Sequence, residues 1–307
     1  MSLIKRPAEI IGKKTIAALI YGQSGAGKTA LACSAPSPVL FDFDNGVSRL
    51  DFGLECDTVQ VRNLDEAFAA LAEVQAAGDY RTVIVDTLSK LVDMATTNKC
   101  GVGIPQMRDW QFIYADVKKF ITSASNIGLN IIFVAQDKEI KKSGKDDNFH
   151  RPECADKIYN SLRADMDIIG YLFYSKDGGV EKRTITFNPT TFSEGKNTGG
   201  FEDTYFIPTA TPSKPLTFMS DIVAQFVKHQ QEKDAQRAEL HNSVEKMMQD
   251  FAGRLEKVDD AMSLNELLGW IKEQPTVGDA KVRMRTAIRE KVSALGVTFN
   301  KESGLYE

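Results

Sequence analysis

The residues with the clearest chemistry are Gly22, Gln23, Ser24, Gly25, Ala26, Gly27, Lys28 and Thr29, which satisfy the pattern G-x-x-x-x-G-K-[ST] in full. Glycines in such a loop let the backbone close around phosphate with its N–H groups turned inward, and a helix starting at the lysine adds the field of its N-terminus. Lys28 is expected to reach the β and γ phosphates. The Thr29 hydroxyl is expected to ligate Mg2+, an ion that keeps most of its waters and takes few protein ligands in sites of this kind. Nucleotide binding is therefore the first function the sequence implies, with ATP and Mg2+ as the cofactors.

Such a loop works with a carboxylate at the end of a neighbouring strand. The β-branched run Thr82-Val83-Ile84-Val85 leads into Asp86, which is expected to hold the magnesium through water; the alternative is that Asp86 caps the following helix. Thr87 follows it rather than glutamate, so a base that activates water must come from elsewhere, or hydrolysis is weak. Asp42 and Asp44 close another apolar run. Alternation puts them on one side, and Asp44, just before Asn45-Gly46, is the better placed to act as general base. Asn130-Ile131-Ile132-Phe133-Val134-Ala135 delivers Gln136 to the same edge, where it is expected to sense the γ phosphate.

Positioning these side chains at one edge requires a sheet. Strands are expected over 15–21, 38–42, 81–86 and 129–135, each apolar enough to be buried on both faces, with helices over 28–34, 64–77 and 109–125 between them. This alternation predicts an α/β fold around a mainly parallel sheet. Residues 166–174 and 182–187 read as a hairpin turned by Asp177-Gly178-Gly179, an antiparallel extension. Proline and threonine over 209–215 then mark the end of the core. Helices are expected over 221–258 and 279–295, with a further one opened by a capping box at Ser263-Leu264-Asn265-Glu266. The expected domains are a core, 1–220, and a helical region, 221–307, for oligomerisation or partner binding.

Taken together, the phosphate loop, Asp44, Asp86 and Gln136 resemble the RecA-type ATPase core over about residues 16–196. Ile20-Tyr21-Gly22, Val39-Leu40-Phe41-Asp42 and Arg163-Ala164-Asp165-Met166-Asp167 are most similar to phage-encoded ATP-binding proteins of the Sak single-strand annealing group. The resemblance implies a RecA-like ATPase, stimulated by DNA, that oligomerises on single-stranded DNA and promotes annealing or strand exchange beside a single-strand binding protein. A phage origin places it in the bacterial host cytosol. The chain departs from the RecA class where Asp44 replaces a common glutamate and where Glu194-Gly195-Lys196-Asn197 keeps only the lysine of a Lys-x-Arg pair; Lys196 is the residue that would act across a subunit boundary.

The segment after Gln136 is the candidate DNA surface. Lys138, Lys141, Lys142, Lys145, Arg151 and Lys157 could neutralise phosphates while Phe149, His150 and Tyr159 stack on unpaired bases, although interleaved acids offset the charge. In RecA-like proteins a second DNA loop precedes the preceding helix, here residues 100–110. The whole chain does not announce a nucleic-acid binder: 38 basic and 42 acidic side chains among 307 residues leave a net charge of −4, so DNA contact must be local. Four scattered cysteines suggest a reducing, cytoplasmic setting, and no apolar run is long enough for a membrane span. Two other functions share the loop chemistry: a small-molecule kinase, and an ATP-gated binding or loader module that does not hydrolyse.

Overall fold

The computed structural model describes residues 12–47, 56–141, 148–211, 213–275 and 278–307. They divide into two compact units, one of residues 13–230 and a second that takes in Gly12 and residues 231–307. The division falls inside one helix, α6 (Phe218–Leu255).

In the larger unit, β1 (Ala17–Gly22) is buried at every residue and leads through the phosphate loop into α1 (Lys28–Ala32). There follow β2 (Pro38–Asp42), β3 (Asp57–Gln60), α2 (Leu64–Ala77), β4 (Thr82–Asp86), α3 (Leu88–Cys100), α4 (Asp109–Asn126) and β5 (Asn130–Lys141). Next come β6 (Asn148–Pro152), α5 (Asp156–Asp165), β7 (Ile168–Asp177), β8 (Val180–Thr186), β9 (Lys196–Asn197) and β10 (Thr204–Phe206). Among the described residues the sheet runs β10-β8-β7-β1-β5-β4-β2-β3, with β6 paired to β5 and β9 to β7. The strands from β7 to β3 along this order are parallel, and β8, β10, β6 and β9 join antiparallel. The result is the α/β class with a mainly parallel sheet expected from the sequence, with its antiparallel extension.

Strand alternation explains the two cores. Leu19, Tyr21, Phe41, Val83, Val85 and Phe133 point to one face, where Leu71, Leu91, Val117, Phe120 and Leu162 of the helices α2 to α5 cover them. Ile16, Ala18 and Ile20 face the other way with Ile84, Ile132, Val134 and Leu172, under Leu31 of α1 and Met219, Ile222 and Phe226 of α6. Each large aliphatic side chain among them contributes about 1.5–3 kcal/mol on full burial.

Several elements differ from the sequence expectation. β3 and α3 lie outside it, because β3 is a short strand at the sheet edge, half polar, and α3 carries polar residues along much of its length. β5 does not stop at Ala135 but continues to Lys141 and pairs with β6, so the basic segment is largely a hairpin rather than a loop. The β7–β8 hairpin turns at Gly178 and Gly179, whose φ of 57° and 84° suit the left-handed geometry that glycine allows.

The smaller unit packs α6 beyond residue 230 with α7 (Ala261–Glu273) and α8 (Ala280–Leu295) around Phe251, Leu264, Leu267, Met284 and Ile288. A short pair, β11 (Phe299–Asn300) and β12 (Leu305–Tyr306), is tied to α7 by the Asn265 side chain, which donates to the Tyr306 carbonyl and accepts from its N–H. The capping box of α7 lies earlier than expected: Asp260 is the N-cap and Ser263 its reciprocal partner. The serine of the expected motif is thus the third helical residue, not the cap. No helix among the described residues is long and apolar enough to cross a membrane.

Gly22 is the tightest point of the sheet near the loop, lying between Gln136 on β5 and Leu172 on β7. A Cβ there would stand 2.1 Å from the Leu172 carbonyl oxygen. Since that neighbour is backbone, Gly22→Ala must separate β1 from β7 at the mouth of the loop. Overpacking of this kind costs about 1–3 kcal/mol or more. The expected result is a thermal midpoint lowered by about 2–12 °C for a domain of this size, with weakened nucleotide binding; calorimetry with and without ATP measures both.

Candidate functional site

The phosphate loop closes as its sequence requires. Gly25 and Gly27 have φ of 77° and 81°, and the Ala26 N–H donates to the Gln23 carbonyl at 3.3 Å. Lys28 is buried at the start of α1, and its Nζ donates to the Gly22 carbonyl at 2.9 Å, the Gln23 carbonyl at 2.8 Å and Gln136 Oε1 at 3.1 Å. Burial lowers the Lys28 pKa, opposed by the charges of Asp86 and Asp137. The lysine therefore reaches from the loop to Gln136 of β5, across the edge where the strand ends converge.

Asp86 ends β4 and is likewise buried; its Oδ2 accepts from the Thr29 hydroxyl at 2.5 Å. This contact brings together the two groups expected to hold Mg2+, both hard oxygen donors of the type that ion takes. A hydroxyl and a carboxylate beside a loop with inward N–H groups fit a magnesium–nucleotide, with Thr29 and Asp86 holding the metal directly or through water. Thr87, not Asp86, stands at the N-cap of α3, so the helix-capping alternative for Asp86 does not describe this chain.

Burial is the main cause raising the Asp86 pKa; the Thr29 hydrogen bond and Lys28 lower it, and the charges of Asp42 and Asp44 raise it further. The native carboxyl thus keeps its proton to a higher pH than an unfolded aspartate does. Its contribution to stability is fully present below the unfolded pKa and is lost as pH rises through the native one. Metal binding has the opposite preference, because the ion needs the carboxylate. Magnesium-dependent ATP affinity is expected to fall on acidification sooner than an ordinary aspartate would dictate, and Asp86→Asn is expected to remove that titration; calorimetric titrations over a pH series check it.

The two acids of the second strand have separate roles. Asp42 is buried, and both its oxygens are engaged: Oδ1 accepts from the N–H groups of Asp44 at 3.1 Å and Gly46 at 3.0 Å, and Oδ2 from Val47 at 3.0 Å. It is the scaffold of the turn after β2. Asn45 adopts φ 50° there, in keeping with its Asn-Gly sequence. Asp44 sits half-buried on that turn, near enough for its charge to be felt by Asp86. The candidate base is therefore Asp44, with Asp42 holding it in place.

Gln136 pairs in register with Gly22 and bonds Lys28, so it does stand at the phosphate loop. Its neighbour Asp137 is an addition from the structure. Asp137 Oδ2 lies 2.7 Å from His150 Nδ1 and accepts from the Tyr171 hydroxyl at 3.5 Å, while the His150 ring stacks on Tyr171 with centroids 5.0 Å apart. Sequence spacing offers no signal for this cluster, because a hairpin and a third strand assemble it.

The candidate DNA residues separate into groups. Lys138 and Lys141 are exposed on the outer part of β5, and Lys157 is exposed on α5 with its ammonium 5.5 Å from the Tyr114 ring centroid. Arg151 is committed instead to Asp156 at 2.8 Å, with its guanidinium 5.0 Å over the Tyr159 ring. Lys142 and Lys145 lie outside the described residues. The expected stacking by His150 and Tyr159 does not hold in this arrangement, since Tyr159 is buried and His150 is stacked on Tyr171. The segment 100–110 presents Val102, Ile104 and Met107 to solvent.

Lys196 is at the other end of the sheet. It pairs with Ile169 near the start of β7, whereas Leu172, further along that strand, is level with Gly22. Its Nζ donates to the Arg163 and Ala164 carbonyls at 2.9 and 3.1 Å, capping α5 where a cation suits the helix dipole. Within one chain it does not join the phosphate site.

A strand-loop-helix carrying Lys28 and Thr29, an acid ending β4 and a glutamine on β5, all on a mainly parallel sheet, defines a P-loop ATPase domain. The profile of the AAA domain family matches residues 14–198. The chain belongs to that family. No curated protein matches its sequence. In structure it is similar to a KaiC-like protein from the hyperthermophilic archaeon Pyrococcus horikoshii OT3, with 13% identity, a TM-score of 0.41, and coverage of 64% of this chain and 87% of that one.

Proposed function

We propose that this protein binds and hydrolyses ATP with Mg2+ and couples that cycle to single-stranded DNA during annealing or strand exchange. One observation carries the coupling: β5 is continuous from Val134 through Gln136, which bonds Lys28, to the exposed Lys138 and Lys141. A change at the phosphate end of this strand is transmitted along its own backbone to the basic hairpin. Mg2+, when bound, neutralises phosphate charge. Thr29 and Asp86 hold it, Lys28 binds the β and γ phosphates, Gln136 contacts the γ phosphate, and Asp44 takes the proton of the attacking water. On this reading the protein is a phage recombination ATPase in the host cytosol, acting as a homo-oligomer in which Lys196 reaches a neighbouring copy, beside a single-strand binding protein.

Steady-state phosphate release with and without single-stranded DNA, at low and moderate salt, tests the reading. Stimulation that fades as salt rises is the expected result, because phosphate contacts release counterions. The double substitution Lys138→Glu and Lys141→Glu is expected to lower the stimulation severalfold. Turnover that ignores DNA at every salt concentration removes the DNA role and shifts the assignment to a kinase or a nucleotide-gated module.

A further inference from the structure

We infer that Arg183 of β8 is a phosphate ligand of the same chain's nucleotide site, contacting the phosphates common to ATP and ADP. The inference rests on the phosphate-loop reading and adds to it a residue from outside the loop and its metal-binding partners.

Register places Arg183 there. Gly22 is level with Leu172, and Leu172 with Ile185, so Arg183 lies two residues beyond the end of β1, where the loop runs. Alternation puts it on the face of Ile185 and Phe187, which pack with Leu31 and Ala32 of α1. The approach to the loop is close: a Cβ on Gly27 would meet Arg183 Nη1 at 2.6 Å. Gly27 is thus required twice, for its φ of 81° and for the space the guanidinium uses.

The electrostatics of this arginine differ from those of the other half-buried arginines among the described residues, Arg151 and Arg283. Arg151, Arg163, Arg237 and Arg283 each pair with a carboxylate within 4 Å. Arg183 is half-buried, burial lowers its pKa, and among the described residues no carboxylate pairs with it. Its hydrogen bond is a long one, Nη2 to the Pro208 carbonyl at 3.5 Å. A guanidinium partly removed from water without an anion is unfavourable, and its planar fork matches phosphate oxygens.

The flank of the loop identifies which phosphates. Gln136 and Asp86 stand on β5 and β4, on one side of β1. Arg183 arrives from β7 and β8, on the opposite side, away from the groups assigned to the γ phosphate and the metal. Its contribution is therefore shared by ATP and ADP.

Calorimetric titration of the full chain with ATP and with ADP, each with Mg2+, tests the assignment in wild type and in Arg183→Ala, Arg183→Gln and Arg183→Lys. Arg183→Ala and Arg183→Gln are expected to lose about ten- to one hundredfold in affinity for both nucleotides, leaving their ratio unchanged, with Arg183→Lys recovering part of the loss. Should Arg183→Ala fail to fold, Arg183→Gln, which keeps the length and much of the packing, decides the matter. Unchanged affinity in a folded Arg183→Gln overturns the assignment, and so does a loss confined to ATP. A wild-type chain that binds neither nucleotide would instead refute the phosphate-loop reading on which the inference stands.

Discussion

Asp44→Asn is expected to reduce the rate of phosphate release by about one hundred- to ten thousandfold, the usual contribution of a positioned general base. ATP affinity should stay close to that of wild type. The separation follows from where the residue sits. Lys28, Thr29 and the loop N–H groups supply the binding, while Asp44 stands on a turn beyond β2 that Asp42 holds through three backbone hydrogen bonds. Asparagine preserves the size and the turn preference at this position but cannot accept a proton. The effect should therefore appear in kcat, with KM changed much less. Asp42→Asn is the informative companion. It weakens the scaffold rather than the base, so it should lower both the rate and the thermal midpoint. If turnover of Asp44→Asn equals that of wild type, Asp44 has no part in the mechanism.

The contrast between these two acids also marks how far the sequence can be read. Alternation along Phe41-Asp42-Phe43-Asp44 sets both carboxylates on one side but cannot separate a side chain that accepts backbone N–H groups from its neighbour on the turn, whose charge is felt at Asp86. That distinction depends on the path of the turn, which brings Gly46 and Val47 back to Asp42. The phosphate loop is legible because its chemistry is compressed into consecutive residues. Asp86 at the end of β4 and Gln136 just past the buried run of β5 are legible because buried parallel strands are unbroken apolar runs. The β5–β6 hairpin is not: beyond Ala135 the strand becomes polar and charged, and its pairing with Asn148–Pro152 follows from tertiary contact rather than from an alternating pattern. Arg183 is hidden for a similar reason, since only the register of β1, β7 and β8 brings it over Gly27.

Lys28→Met is expected to weaken ATP binding by about thirtyfold or more, the loss that follows when one member of a buried charge pair is removed. Methionine is chosen because it fills the same narrow space without the charge. Two opposing effects act on the nucleotide-free protein. The Gly22 and Gln23 carbonyls and Gln136 lose a donor, which is destabilising. The cost of holding an ammonium away from water disappears, which is stabilising. The pH dependence separates them. Because burial lowers the Lys28 pKa, the unfolded chain binds this proton more tightly than the native protein does. Wild-type stability therefore gains, relative to Lys28→Met, as pH rises above the native pKa of this lysine towards the ordinary lysine value. Denaturant unfolding of both proteins across an alkaline pH series measures that difference, and nucleotide titration at neutral pH measures the loss of ATP affinity. Full ATP affinity in a folded Lys28→Met would show that the anion is held elsewhere and would withdraw the phosphate-site assignment for the whole loop.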